Sequence, residues 1–76
     1  MKAYILVQAS VGSPTSVAEA IGELPAVKSV HNVTGPYDVV VEVEARNADH
    51  LSTAVIPTLH EVEGVTRTLP CIRPKR

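Results

Sequence analysis

The segment from Thr34 to Ala45 constrains the fold of this 76-residue chain more than any other. It opens with Gly35-Pro36, a pair that favours a turn, because glycine adopts backbone angles closed to other residues and proline fixes its own φ. From Tyr37 onward apolar and polar side chains alternate, which predicts a β-strand with one face in the core. The core face is predicted to hold Tyr37, Val39, Val41, Val43 and Ala45. The other face, with Asp38, Val40, Glu42 and Glu44, is half polar, so we expect it to be open for another contact.

The first half of the chain predicts a strand, a helix and a second strand. Residues 2–8 form a continuous apolar run, expected to be a central strand buried on much of both faces. A helix is predicted over residues 14–24, capped by Ser13 and ended by Pro25. Its expected buried stripe is Val17, Ala20, Ile21 and Leu24. Residues 27–33 predict a more exposed strand, at an edge of the sheet.

The second half predicts another helix and a last strand. Asn47 is expected to cap a helix over residues 48–61, whose buried side is Leu51, Ala54, Val55, Leu59 and Val62. Pro57 lies inside it, which predicts a kink or an irregular last turn. Gly64 should terminate this helix, and residues 65–69 are predicted to form a strand that ends before Pro70.

The order of elements is therefore β-α-β-β-α-β, and the helix-to-strand segments 21–27 and 59–65 share a similar apolar pattern. This favours one α+β domain over residues 1–76 with a ferredoxin-like fold, a four-stranded antiparallel sheet with two helices on one face. Strands one and three are expected to be central. Since two helices cover only one face, the other is a predicted association surface.

Composition limits the class of protein. A net charge of -1 gives no general attraction to nucleic acid, and the basic residues Arg73, Lys75 and Arg76 are interpreted as a solvated terminus rather than a nucleic-acid arm. The single cysteine, Cys71, excludes an internal disulfide framework and suits a reducing compartment. No stretch predicts a membrane span or a signal peptide, so we expect a cytoplasmic protein.

Reactive side chains do not form a recognisable catalytic or metal motif. The three histidines lack ligand spacing, no serine lies in a strained nucleophile turn, and no glycine-rich loop is long enough for phosphate. Glu42 and Glu44 fall about 7 Å apart on one strand face, where they are solvated or interfacial charges or, alternatively, a pair of catalytic carboxylates. We predict a protein that is not an enzyme and needs neither metal nor cofactor.

The corner Gly35-Pro36-Tyr37-Asp38 is the strongest candidate for a binding site. It combines a phenol, a carboxylate and backbone groups, which can together hold a small zwitterion. The alternative is a structural turn in which Asp38 accepts hydrogen bonds from nearby backbone N–H groups.

The string from Val33 to Ala45, with Leu24-Pro25-Ala26-Val27 before it and residues 64–68 after it, resembles the effector-binding (RAM) domain of the Lrp/AsnC family of transcriptional regulators. The resemblance implies a fold that dimerises through its open sheet faces as an α+β barrel, assembles further, and binds amino acids between dimers. It places the effector site on Gly35, Tyr37, Asp38 and Thr68. The family often has a second threonine where this chain has Pro70, and its helix-turn-helix domain has no counterpart here, as in a stand-alone form.

Three hypotheses follow. The first is an amino-acid-sensing, homo-oligomeric domain that binds its effector at subunit interfaces and modulates transcription indirectly, by changing its assembly or joining a full-length regulator. The second is a dimerisation module without a ligand. The third is a small enzyme of the dimeric α+β barrel type, in which Glu42 and Glu44 would act as acid or base.

Overall fold

The computed structural model describes residues 1–10 and 14–72 and confirms the predicted order of elements. The described strands are β1 (Lys2–Ala9), β2 (Val27–Asn32), β3 (Val39–Glu44) and β4 (Val65–Ile72), and the first helix, α1, is Pro14–Gly22. The second helix, α2, covers residues 48–60 in three segments: an α-helical turn Ala48–His50, a π-helical segment Leu51–Val55 and an α-helical segment Ile56–His60.

The strands form one antiparallel sheet in the order β2-β3-β1-β4. The two most apolar strands, β1 and β3, are central, as the sequence predicts, and β2 is an edge. Val7 lies opposite Val39 on one side and Thr68 on the other, so it marks a row that crosses three strands.

A single core lies between the sheet and both helices. Alternate residues of β1 and β3 are buried on this side, together with one stripe from each helix. The fully buried large side chains are Ile5, Val7, Val17, Ile21, Val39, Val41, Val43, Leu51 and Leu59. Because both helices contribute to one cluster, they cover the same face of the sheet.

The other face of the sheet is open, and here the expectation for β1 was wrong. Burial in β1 alternates, so the strand is covered on one side only, and Tyr4 is 38% exposed. Val40, Leu6 and Leu69 are paired in a row across β3, β1 and β4 on this side. We call this surface the open face; Lys2, Gln8, Ser29, His31, Glu42, Arg67 and Cys71 also lie on it by register.

Helix α1 differs from prediction in its end and its buried stripe. It ends at Gly22, because Glu23 and Leu24 N–H groups donate to carbonyls only three residues earlier and tighten the chain into a turn. Ala20 is exposed and Ala18 takes its place in the core, whereas Leu24 is half-buried. The predicted cap Ser13 lies outside the described residues.

Helix α2 begins where the sequence predicts and is irregular near its proline. The Asn47 side chain accepts a hydrogen bond of 2.8 Å from the His50 N–H group. Ile56 N–H donates to the Leu51 carbonyl, five residues earlier, so the irregularity is a π-turn placed before Pro57 rather than a distorted last turn. Leu51, Val55 and Leu59 are buried on one side. Ala54, expected among them, is exposed, and Val62 is half-buried.

Strand β4 continues through Pro70, contrary to prediction. Pro70 lies opposite Ile5, and the strand extends to Ile72. Proline lacks an N–H donor and is tolerated in a sheet at an edge strand, which is the position of β4. Gly64, with a φ of 99°, lies in the turn that precedes this strand, four residues after α2 ends.

Two valines of different burial test the position of the core. Val41 is 0% exposed and Val33 is 42% exposed. We expect Val41→Ala to lower the free energy of unfolding by about 2–3 kcal/mol, through lost transfer energy and a residual cavity. Val33→Ala is the matched control and should change it by less than about 0.5 kcal/mol. Urea unfolding of both variants measures this, and equal effects would contradict the described core.

Candidate functional site

The loop between β2 and β3 has six residues, 33–38, and fixed ends. The Val33 N–H group donates to the Asp38 carbonyl at 2.9 Å and closes the hairpin. Gly35 is exposed and has a φ of 154°, a backbone conformation that side chains disfavour, although no atom lies within 4 Å of where a Cβ would be. The sequence predicted a turn that depends on glycine, and the reason for the glycine is its backbone angle rather than a lack of space for a side chain.

Asp38 attaches this loop to the end of β1. Its Oδ2 atom accepts a hydrogen bond of 2.8 Å from the partly buried Ala9 N–H group, and its own N–H group donates to the Val7 carbonyl at 2.9 Å. The structural role weighed for Asp38 is therefore present. A carboxylate has two oxygens and about four acceptor positions, so this role does not use its full capacity.

Tyr37 and Pro36 lie beside β1 at the same end. Tyr37 is half-buried, although the alternation pattern placed it with the fully buried residues, because β3 begins only at Val39. The Gln8 Nε2 group donates to the Pro36 carbonyl at 3.3 Å. The loop is thus held to β1 through both a side chain and the backbone.

Thr68 lies at this end of the sheet but on another strand. It pairs with Val7 and is half-buried as a residue, and its Oγ1 atom is 3.0 Å from His60 Nε2, at the end of α2. Val39, the residue after Asp38, lies in the same row as Thr68 but two strands away from it, about 10 Å across the sheet. One chain therefore places all four predicted effector residues at one end of the sheet, with β1 between Thr68 and the loop.

A β-bulge shapes the start of β4. The register shifts between Gln8 and Ala9, so Thr66 has no residue opposite it, and its hydroxyl donates to the Gln8 carbonyl at 3.0 Å. The Ser10 N–H group donates to the Gly64 carbonyl at 2.8 Å. Bulges often re-aim neighbouring side chains at sites, and this one lies two residues before Thr68.

Two cavities lined by described residues lie outside this site, one beside the β-bulge and one near the opposite end of β3, where Glu44 lies. One of about 440 Å³ is lined by Ser10, Ser16, Ala20, Val62, Glu63 and Gly64. Another, of about 380 Å³, lies between the end of α1 and α2. Neither cavity is lined by the four predicted effector residues.

The sequence offered His60 as one of three histidines without metal-ligand spacing, and its contact with Thr68 was missed. The two residues are eight positions apart, on a helix and a strand whose spacing depends on the turn between them. Among the described residues, no group of three or more His, Cys, Asp and Glu side chains is placed to hold a metal ion.

Glu42 and Glu44 do not have the properties of a general acid. The pKa of Glu42 is lowered, mainly by a hydrogen bond from Lys2, whose Nζ atom lies 3.0 Å away. The pKa of Glu44 is lowered by the Met1 ammonium group, 2.8 Å from its Oε2 atom. A carboxyl group that donates protons near neutral pH needs a raised pKa, so both shifts oppose the enzyme hypothesis.

Comparison with known proteins identifies the family. The family model described as the Lrp/AsnC ligand binding domain matches residues 2–72, and this chain therefore belongs to that family. The HTH-type transcriptional regulator PF0250 of Pyrococcus furiosus is 39% identical over 56 residues, which are 74% of this chain and 37% of the relative. The chain thus spans little more than a third of that regulator's length.

A relative of another kind and several solved structures are also similar to this chain. Homocitrate synthase of Sulfurisphaera tokodaii is 36% identical over 55 residues, 72% of this chain and 12% of that protein. The crystal structure of FFRP-DM1 matches with a TM-score of 0.86 at 26% identity, covering 96% of this chain and 97% of that one. The regulator NMB0573 of Neisseria meningitidis, solved in complex with L-Met, shares the fold: TM-score 0.79, 21% identity, 97% of this chain and 50% of that one.

None of the helices in the described part of the chain is long and apolar enough to cross a membrane. The family match supports the interpretation of the sequence as a ligand-binding domain of the Lrp/AsnC type.

Asp38 can be tested separately as a structural residue. Asp38→Ala leaves the partly buried Ala9 N–H group without its acceptor, and we expect a loss of about 1–3 kcal/mol in the free energy of unfolding. Asp38→Asn keeps a side-chain oxygen and should retain most of the stability. Hydrogen exchange of the Ala9 amide is the local readout. Slow exchange in Asp38→Ala would contradict this attachment.

Proposed function

We propose that this chain is an amino-acid-sensing, oligomerising regulatory domain. It acts in the cytoplasm, binds its effector at subunit interfaces around Gly35, Tyr37, Asp38 and Thr68, and modulates transcription indirectly through a full-length regulator of its family. The observation that carries the proposal is the attachment of the Asp38 loop to β1, at the end of the sheet where Thr68 lies. The complex of NMB0573 with L-Met supports the choice of ligand class.

The chemistry of the four residues suits a zwitterion. Asp38 offers carboxylate oxygen to an ammonium group, and Thr68 offers a hydroxyl group to a carboxylate. The ammonium and carboxylate groups of an amino acid are bonded to the same carbon atom, so one molecule does not reach both residues across two strands of a single chain. A second subunit therefore supplies the rest of the site in this proposal.

The open face supports association between copies. It carries the apolar row of Val40, Leu6 and Leu69, and Leu69 is 44% exposed in the single chain. Water contact with such a row is unfavourable, and pairing two open faces would bury it. In this proposal the dimer forms an α+β barrel whose outer edges carry the effector loops.

A domain that regulates an enzyme is the second candidate function. The similarity to a segment of homocitrate synthase favours it, because the matched segment is only 12% of that enzyme, as expected if it is an accessory part. The effector site would be the same, and only the partner would differ. Co-purification with a regulator or with an enzyme separates the two candidates.

Effector binding can be detected by thermal unfolding in the presence of each common amino acid at millimolar concentration. A ligand at a hundred times its dissociation constant adds about 2.7 kcal/mol of stability, a shift of several degrees in a domain of this size. Tyr37→Ala should abolish the shift and leave the dimer intact. Tyr37→Phe, which keeps the ring, is the matched control.

The outcomes divide the hypotheses. No shift with any amino acid would exclude the sensor and leave the ligand-free association module. Loss of the dimer together with the ligand shift in Tyr37→Ala would assign Tyr37 a structural role.

Dimerisation through the open face predicts a charge-sensitive interface. Leu69→Glu places a carboxylate in the apolar row and should shift the protein towards monomer, because burying an unpaired charge is costly. Ala54→Glu adds the same charge on the exposed side of α2 and should leave the assembly unchanged. Light scattering over a concentration series measures both. A Leu69→Glu protein that remains dimeric would place the interface elsewhere.

A further inference from the structure

The end of α2 is joined to β4 by a contact between a histidine and a threonine. His60 is the last residue of α2, and its Nε2 atom lies 3.0 Å from Thr68 Oγ1. Thr68 is half-buried on the helix side of the sheet, opposite Val7. The contact therefore occupies part of the hydrogen-bonding capacity of a hydroxyl group that the proposed function gives to the effector.

A threonine hydroxyl has one proton to donate and two lone pairs to accept with. If Nε2 is unprotonated, the hydroxyl donates to it and only lone pairs are left for a ligand. If Nε2 carries a proton, as it does in one neutral tautomer and always in the cation, the hydroxyl accepts from it, and its own proton is available for a ligand carboxylate. Protonation of His60 therefore removes the tautomer in which Nε2 competes for the hydroxyl proton. The state of His60 thus decides which effector group Thr68 can bind.

We propose that His60 is a positioning residue that orients the Thr68 hydroxyl, and that its protonation strengthens binding of the effector's carboxylate. The inference rests on the proposed effector site and adds a regulatory property to it. Histidine is the side chain that ordinarily changes charge between about pH 5 and pH 8, so effector affinity should rise as the pH falls through this range. The cationic imidazole also makes the donated hydrogen bond a charge-assisted one.

Few other charged groups surround this contact. In the described part of β4, Arg67 is the single charged residue, and it lies on the open face opposite Gln8. Asp49 and His50 are at the other end of α2, and Glu61 and Glu63 follow His60 in the turn. The two glutamates are thus the groups whose titration has to be separated from that of His60.

The test is the affinity for each common L-amino acid, measured separately by calorimetry between about pH 5 and pH 8 on the full chain. His60→Gln keeps a polar group that can bond Thr68 but does not titrate, and His60→Ala removes the contact. His50→Asn is the matched histidine control. The His50 Nδ1 atom accepts a hydrogen bond of 3.1 Å from the Arg46 N–H group, and asparagine keeps an acceptor for that group. A Glu61→Gln/Glu63→Gln variant controls for the carboxylates.

We expect the unaltered protein, the His50 variant and the glutamate variant to bind several-fold more tightly at the low end of this pH range. His60→Gln should match the unaltered protein at about pH 8 within about twofold and show no pH dependence. His60→Ala should likewise show no pH dependence and bind several-fold more weakly than the unaltered protein at the low end of the range, because the protonated imidazole that orients the Thr68 hydroxyl is absent. The primary amine with the same side chain, which lacks the carboxylate and whose ammonium group stays charged over this range, should bind without pH dependence to all of these proteins.

The two proposals fail in different ways. If His60→Ala binds with unchanged affinity and an unchanged pH profile, the role of His60 is overturned and the effector site stands. If the unaltered protein binds no amino acid, the proposed function itself is overturned. If the glutamate variant loses the pH dependence, the titrating group is a carboxylate and the inference about His60 is wrong.

Discussion

The structure depends on burial on one side of a thin sheet. Alternate residues of β1 and β3 meet a stripe from each helix, and the resulting core contains no aromatic side chain. Such a core is built from short aliphatic side chains, and each of them contributes only a small part of the free energy of folding. Stability therefore requires that all of them pack closely. The same geometry leaves the open face without a cover. The small size of the sheet therefore both limits the stability of the single chain and provides a surface for association.

Asp38 links the fold to the proposed function because it serves both. One of its oxygens attaches the loop to β1 through the Ala9 N–H group, and this attachment fixes where the other oxygen lies. A ligand that draws on the same carboxylate would compete with, or polarise, a bond that holds the hairpin in place. In the proposed site, effector binding and loop position would therefore be coupled through a single side chain.

The sequence was sufficient to predict features encoded locally. The alternation from Val39 to Val43, the Asn47 cap and the order of elements depend on residues close in the chain, and each is present. Features set by distant partners were not predictable. Pro70 continues a strand because β4 is an edge, and Ala18 rather than Ala20 is buried because of how α1 rests on the sheet.

The candidate site also contains some features that are encoded locally and others that depend on distant residues. The turn at Gly35 could be predicted from residue types, whereas the Thr66 bulge requires knowledge of the register between β1 and β4. The contact of His60 with Thr68 requires, in addition, the angle at which α2 ends. Resemblance to a family named the loop residues but carried no information about this histidine.

The π-segment of α2 has a consequence for that angle. Each residue of an α-helix advances the side-chain direction by about 100°, whereas a π-turn spreads one turn over more residues. The segment Leu51–Val55 therefore rotates every later residue of the helix relative to a regular α-helix that starts at Asn47. This segment therefore helps to set the direction in which His60 points from the helix axis, and with it the contact between His60 and Thr68. In the proposed site, the number of residues per turn before His60 would thus help to determine which side chain lies beside the effector.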